Sequence, residues 1–130
     1  MEFDPNSLIT VTTVADIESL PSETAGVFVL ELTNDKLSAI AVSLPDVRHI
    51  IADGNTSGVT DAGLASLIGL ARLESLDLEW SNVTDEGLLK IAHIESLRWV
   101  DLGFCKGVSE RGAAEFRRLR PEVEATFSWT

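Results

Sequence analysis

Residues 59–64 read VTDAGL and residues 83–88 read VTDEGL, so nearly the same six letters occur twice, 24 positions apart. A third and weaker copy, VSERGA, spans residues 108–113 and begins 25 positions after the second. Self-similarity at a period of roughly 20–50 residues is typical of repeat architectures, in which each copy is one small supersecondary unit. The spacing of this hexapeptide therefore sets the frame for the rest of the chain.

A strand-like segment precedes each copy, with apolar residues at its first, fourth and sixth positions. In LESLDLEWS, residues 73–81, these are Leu73, Leu76 and Leu78. The same nine-position frame fits the segments that begin at residues 27, 47 and 97, and a poorer match begins at residue 123. The frame residues assigned to the first and last segments are Val27, Leu30 and Leu32, and Val123, Thr126 and Ser128.

Between the strands the apolar spacing becomes helical. After Asp61, apolar residues follow at Leu64, Leu67 and Leu70, and the segments after residues 85 and 110 repeat this spacing. Such spacing marks one buried face of a helix. Because the period changes from about 2 to about 3.6 once per repeat, the sequence predicts alternating strands and helices, an α/β fold with a parallel sheet.

The hexapeptide itself is typical of a helix start. Thr60 and Thr84 are N-cap residue types, and the carboxylate that follows each one meets the positive end of the helix dipole. Glycine in a first helical turn costs up to about 1 kcal/mol relative to alanine. Its recurrence predicts a collision with a neighbour for any side chain at Gly63, Gly87 and Gly112. A duplicated catalytic aspartate is the weaker interpretation, because capping explains the hydroxyl, the carboxylate and the spacing together.

Composition narrows the classes of protein and partner. The 130 residues fit one domain, and 45% hydrophobic and 24% charged residues are ordinary for a globular chain. The formal net charge is −11 and the isoelectric point is near 4.4. Such a chain repels nucleic acid and anionic membrane and attracts basic partners. We expect neither a nucleic acid nor a membrane among its partners.

A single cysteine, Cys105, excludes an intrachain disulfide and a cysteine-based metal cluster. The N-terminal residues lack the basic and apolar regions of a signal peptide, and no stretch approaches the roughly 20 apolar residues of a membrane span. These features predict a cytoplasmic protein.

The strand frame followed by VTDxGLxxL resembles leucine-rich repeat proteins, in the subtype found in the cysteine-containing repeats of F-box adaptors and in many bacterial repeat proteins. The closest stretch is LRWVDLGFCKGVSERGAAEF, in which Cys105 matches the cysteine of that subtype. The resemblance implies that Cys105 is a buried structural thiol. It covers residues 47–120 strongly, 27–46 moderately and 1–26 faintly.

The resemblance implies one domain over residues 1–130: a short right-handed arc of five or six strands, with the parallel sheet on its concave face and the helices on its convex face. Residues 27–122 would form about four repeats and residues 123–130 a terminal strand. Residues 1–26 would form an N-terminal cap, with one more strand and a short helix, because end repeats otherwise expose core. A turn is expected at residues 4–5.

The resemblance also implies that the side chains at the third, fifth and seventh frame positions face a partner from the concave side. Carboxylates on adjacent strands repel unless a cation compensates, and aromatic residues are enriched at interface hot spots. We therefore predict a non-enzymatic interaction module, an adaptor or a protein that neutralises a basic toxin or nuclease, which binds a basic protein partner through an acidic, tryptophan-containing face. The predicted partner-binding residues are Glu31, His49, Asp53, Asp77, Glu79, Trp99, Asp101 and Phe127.

Two alternatives stay open. The degraded last repeat favours a self-associating unit, a possible homodimer that pairs through its sheet edge or terminal strand. Asp77, Glu79 and Asp101 could also hold a hard cation with hydrolytic activity, but the chain lacks the loop of an EF-hand. No nucleophile–base pair occurs at usable spacing, so we predict no catalytic residue, no bound metal and no cofactor.

Overall fold

The alternation of strand and helix produces a six-stranded parallel sheet in the computed structural model, which describes residues 8–129. Neighbouring strands follow the order of the chain. They are β1 (Ile9–Val11), β2 (Gly26–Val29), β3 (His49–Ala52), β4 (Ser75–Asp77), β5 (Trp99–Gly103) and β6 (Glu124–Ser128). The predicted α/β class with a parallel sheet is confirmed. The expected turn at residues 4–5 and the ends of the predicted cap and terminal strand, residues 1–7 and 130, lie outside the described residues.

One helix connects each pair of neighbouring strands. These helices are α1 (Val14–Glu18), α2 (Asn34–Ser43), α3 (Asp61–Leu64), α4 (Asp85–Ile91) and α5 (Glu110–Leu119). A 3₁₀ turn, Ala65–Leu67, continues α3. Each helix contacts the next along the chain, so all five lie on the same side of the sheet. The strand and the short helix predicted within residues 1–26 are present as β1 and α1.

A single hydrophobic core lies between the sheet and this helix layer. The fourth and sixth frame positions point into it, as Leu76 and Leu78 of the segment at residues 73–81 show at 0% exposure. The valine that opens each hexapeptide is also buried. Full burial of a leucine side chain stabilises a fold by about 1.5–3 kcal/mol. The periodic apolar residues therefore hold sheet and helices together.

Strand pairing shows that the predicted frame of the first segment was wrong by three residues. Val27 of β2 lies opposite Ile50 of β3, so it occupies the fourth position rather than the first. The first position falls on Thr24, which is buried and donates its hydroxyl to the carbonyl of Pro21 at 2.6 Å. A threonine with a hydrogen-bonded hydroxyl therefore occupies the position where an apolar residue was expected. The alternating apolar residues after Thr24 fit both the predicted frame and the observed frame, which begins three residues earlier.

The predicted frame of the last segment was wrong by one residue. Ala125 lies opposite Val100, and Phe127 lies opposite Leu102. A shift of one residue moves every side chain of a strand to the other face. Phe127 consequently packs against the core, edge-on to Phe116 with 6.4 Å between ring centroids. Its predicted place on the partner-facing side of the sheet was wrong.

Neighbouring repeats are joined by hydrogen bonds between their hexapeptides. Asp61 Oδ1 accepts from the backbone amide of Thr84 at 2.8 Å, and Asp61 Oδ2 accepts from its hydroxyl at 2.5 Å. The next step repeats this pattern, since the carboxylate of Asp85 accepts from the amide of Ser109 at 2.9 Å and from its hydroxyl at 2.6 Å. The aspartate at the start of one helix thus fixes the position of the residue that caps the next helix.

The hexapeptide glycines make room for these carboxylates. A Cβ added at Gly87 would overlap Oδ1 of Asp61, and a Cβ at Gly63 would overlap Oδ1 of Asn34, which replaces the aspartate in the first step. The predicted collision is confirmed. The predicted capping by Thr60 is corrected: Thr60 occupies the N-cap, but its hydroxyl accepts from Nδ2 of Asn34 at 2.9 Å and caps no helix amide.

Arg120 joins the last helix to the preceding repeat. Its guanidinium donates to the carbonyls of Ala92 at 3.0 Å, Ile94 at 2.8 Å, Glu95 at 3.3 Å and Leu97 at 3.2 Å. Only 11% of the Arg120 side chain is exposed. These carbonyls lie at and after the end of α4, and three of them also accept from a second donor: those of Glu95 and Leu97 from Arg98, and that of Ile94 from the Leu97 amide. Arg120 Nε also pairs with Glu122 Oε1 at 2.5 Å. The sequence offered no sign of the four carbonyl contacts, because backbone acceptors leave no trace in the residue pattern.

Candidate functional site

The face of the sheet opposite the helices, here named the open face, carries the third, fifth and seventh frame positions. Its residues are Gly26, Phe28, Leu30, His49, Ile51, Asp53, Ser75, Asp77, Glu79, Trp99, Asp101, Gly103, Glu124, Thr126 and Ser128. Six of the eight predicted partner-binding residues lie in this set. Glu31 instead follows the end of β2, with φ of 53°, and Phe127 faces the core.

Asp77 is the most buried carboxylate of the open face, with 9% exposure. It lies directly opposite Asp101 of β5. Its oxygens accept from the backbone amides of Glu79 at 3.2 Å and Ala52 at 3.3 Å. Burial outweighs these two hydrogen bonds and, with the like charges of Asp101 and Asp53, raises the pKa of Asp77 from 3.8 to about 6. The site therefore holds a carboxylate that takes up a proton close to neutral pH.

Glu79 and Asp101 form the second part of the acidic cluster. Burial raises the pKa of Glu79, and a side-chain hydrogen bond with Asp101 raises it further. The backbone amide of Gly103 donates to Asp101 Oδ1 at 2.9 Å and fixes that carboxylate in place. One oxygen from each of Asp77, Glu79 and Asp101 lies within 4.8 Å of the others. The three carboxylates could share protons, surround an ammonium or guanidinium group, or supply oxygen ligands to a hard cation.

Among residues 8–129, no lysine or arginine forms an ion pair with this cluster. The open-face positions include five carboxylates and neither lysine nor arginine. Within residues 8–129, ion pairs lie elsewhere, as between Arg48 and Glu74 at 3.3 Å and between Arg118 and Glu115 at 2.5 Å. Like charges on adjacent strands destabilise a sheet. The cluster therefore keeps an electrostatic cost that a positively charged partner would relieve.

His49, Ser75 and Trp99 occupy one row across the sheet, each opposite the next. His49 Nδ1 lies 2.9 Å from the hydroxyl of Ser75, which is fully buried. Burial lowers the pKa of His49, which disfavours a positive charge on its imidazole. The sequence spacing did not predict this contact between a serine and a histidine, which the sheet register creates. The pair forms a polar border of the acidic cluster.

Aromatic residues border the acidic cluster where the strands end. Trp80 and Phe104 share the eighth frame position, both with positive φ (66° and 57°), and their rings stack with centroids 4.5 Å apart. Trp80 Nε1 donates to Glu79 Oε1 at 3.0 Å. This contact ties the aromatic pair to the cluster. The predicted partner-binding residues included neither ring, although two aromatic residues at one repeat position were a usable signal.

Cys105 lies beneath this edge and is 1% exposed. Its Sγ donates to the carbonyl of Leu78 at 3.1 Å and lies 3.4 Å from the hydroxyl of Ser81. Burial raises the pKa of the thiol, which disfavours the reactive thiolate. The predicted burial of this cysteine is confirmed, and its hydrogen bonds join backbone and side chain of the preceding repeat.

Comparison with known proteins finds no family model and no curated protein that matches the chain. Among the described residues, no helix has both the length and the apolar character needed to cross a bilayer.

Proposed function

We propose that the chain is a short leucine-rich repeat solenoid that binds a basic protein segment through its open face. Sequential strand order, one helix per connection and the hexapeptide hydrogen bonds support the repeat assignment, and the sheet would then form the concave side of the arc. The observation that carries the binding proposal is the convergence of Asp77, Glu79 and Asp101 within 4.8 Å on a face without lysine or arginine.

Physical chemistry favours a basic partner over the other classes. The acidic cluster resists full ionisation because burial and like charges oppose it, so an incoming cation gains interaction energy there and displaces bound protons. A chain of net charge −11 also attracts basic partners at long range. Exposed aromatic rings beside the cluster offer the apolar contact area that interface hot spots use.

A titration with a defined probe tests the proposal. The probe is a nine-residue peptide that alternates glycine and lysine, measured by calorimetry and by amide chemical shifts in buffer with EDTA, which removes divalent cations. We expect shifts concentrated on β4 and β5. The combined variant Asp77→Asn, Glu79→Gln, Asp101→Asn should weaken binding at least about tenfold, the free-energy equivalent of about 1.4 kcal/mol.

A charge-matched control separates a site from general attraction. Glu86, Glu95 and Glu110 are exposed on the helix side, and their replacement by glutamine removes the same formal charge. If this control weakened binding as much as the open-face variant, the peptide would be sensing net charge alone and the proposal would be wrong. The amide chemical-shift dispersion of both variants is the check that they remain folded.

The alternative of self-association rests on a different observation. β6 is the last strand of an open sheet, and within residues 8–129 its outer edge pairs with no further strand. Such edges can pair with a second copy. Sedimentation equilibrium at high micromolar concentration tests this function: a strict monomer excludes it. Glu124 on this strand and the overall negative charge oppose the pairing of two copies, so we rank it second.

A further inference from the structure

A cavity of about 250 Å³ opens beside the aromatic stack at the ends of β4 and β5. Trp80 and Phe104 contribute the stacked rings on one side of its lining. Trp129 also lines it, and two contacts hold this ring: Nε1 donates to the carbonyl of Val108 at 2.7 Å, and the ring stacks on Phe127 with centroids 6.2 Å apart. The cavity is therefore built from aromatic rings that the fold holds in place.

Size and charge limit what this cavity can accept. Pockets for cofactors and drug-sized ligands measure about 300–1,000 Å³, so this cavity suits a single side chain. Its aromatic faces attract cations through their quadrupoles. The carboxylate of Glu79 contacts Trp80 directly, and Asp77 and Asp101 lie next to that carboxylate. Negative charge in contact with one of the rings that line the cavity favours a positively charged occupant.

We infer that this cavity receives one arginine side chain of the basic partner, which stacks on the aromatic rings and pairs with the carboxylate of Glu79. A guanidinium is planar, stacks on aromatic faces and donates two parallel hydrogen bonds to a carboxylate, whereas the ammonium of lysine is a compact and strongly hydrated point charge. The inference rests on the proposed function, since it names the residue that anchors the partner beside the acidic cluster.

Lys106 also lines the cavity, and it is the one cation in the cavity's described lining. Its side chain is exposed, so it can leave without breaking a buried contact. Because Lys106 shares the cavity lining with the aromatic rings, its positive charge opposes the entry of an arginine. Replacement of Lys106 should therefore strengthen arginine binding. If Lys106 instead recruited an anionic ligand, the same replacement would weaken the binding of that ligand.

The experiment compares two nine-residue peptides of equal charge, one alternating glycine and arginine and the other glycine and lysine, by calorimetry with the full chain. We expect the arginine peptide to bind about three- to tenfold more tightly. Trp80→Asn should remove this preference, and Asn tolerates the left-handed backbone of that position. Trp80→Phe keeps a ring and should keep most of the preference. Lys106→Gln should raise affinity for the arginine peptide more than the charge-matched control Arg111→Gln on α5.

The outcomes separate this inference from the proposed function. The arginine pocket would be overturned if the unmodified chain bound the two peptides with equal affinity and Trp80→Asn left both affinities unchanged. Weaker binding of the arginine peptide by Lys106→Gln would overturn it as well. If both affinities still fell in the combined open-face variant, the proposed function would stand without the pocket. If neither peptide responded to that variant, the proposed function itself would fail.

Discussion

Asp61 and Thr84 are joined by two hydrogen bonds across 23 residues of sequence, one to the backbone amide at 2.8 Å and one to the hydroxyl at 2.5 Å. Asp61 therefore serves two helices, because it lies in the first turn of α3 and also positions the N-cap of α4. Buried or partly buried hydrogen bonds to a charged group contribute about 1.5–3 kcal/mol each. Contacts of this kind turn a series of similar segments into one cooperative structure.

Replacement of Asp61 by alanine should reduce the free energy of unfolding by about 2–4 kcal/mol, because the Thr84 amide and hydroxyl lose a charged acceptor. Glu110→Ala is the matched control, since Glu110 also lies in a first helical turn but is exposed, outside the described hexapeptide hydrogen bonds. Urea denaturation followed by circular dichroism measures both. Equal losses would mean that the helix dipole, not the link between repeats, explains the aspartate.

Gly87→Ala should destabilise the protein by about 1–3 kcal/mol, although alanine is the better helix former, because its Cβ would overlap Asp61 Oδ1 and Val83 Cγ1. Gly69→Ala is the control, because a Cβ there meets no atom within 4 Å. In the background of Asp61→Ala, the cost of Gly87→Ala should shrink. A strictly additive double variant would contradict the proposed crowding.

The stability of the protein should decrease as pH rises from about 4 to 6, in part because of Asp77. Its pKa is about 6 in the folded protein and 3.8 ordinarily, so the folded state binds the proton more tightly. Stability from this group is complete below pH 3.8, is lost as pH rises through 6, and amounts to about 3 kcal/mol.

Asp77→Asn should flatten this part of the pH dependence, and the exposed Asp35→Asn should leave it unchanged. Urea denaturation midpoints measured every half pH unit between about 3.5 and 7.5, the range in which carboxyl groups of ordinary and raised pKa titrate, give the pH dependence of stability for each variant. An Asp77→Asn curve parallel to that of the unmodified chain would show that the buried charge is not the cause.

Arg120→Met should destabilise the last repeat, because four carbonyls lose their shared donor, with an expected loss of about 2–4 kcal/mol. Arg111→Met, on an exposed face of the same helix, serves as control. Hydrogen exchange should locate the effect: protection should fall first in α5 and β6. Uniform loss of protection across the sheet would argue against a local role.

The periodic residues of the central repeats were predictable from the sequence. Leu76, Leu78, Val100 and Leu102 occupy the core because strand alternation and helix spacing leave one arrangement that buries all of them. The register of β2 was not predictable, because Thr24 is buried through a hydrogen bond that no apolar pattern reveals. The two errors in the predicted frame therefore lie in the first and last segments, whose sequences match the repeat pattern least well.

The candidate site was predictable in outline only. The repeat period placed Asp77, Glu79 and Asp101 on one face, since that follows from strand alternation once the frame is known. Their mutual distance and the raised pKa of Asp77 depend on burial, which alternation does not give. The contact between Trp80 and Glu79 depends on a left-handed backbone at residue 80, which the sequence alone did not indicate.

The link from each hexapeptide to the next has a genetic consequence. Residues 61–84 begin with an acceptor, Asp61, and end with the threonine that a preceding aspartate recognises. An in-frame duplication of this 24-residue segment would supply both halves of the contact at each new junction, together with the glycine that leaves space for it. Recombination between the repeated segments of the gene could thus lengthen the protein, and each new junction would have its hydrogen bonds and its glycine without any further mutation.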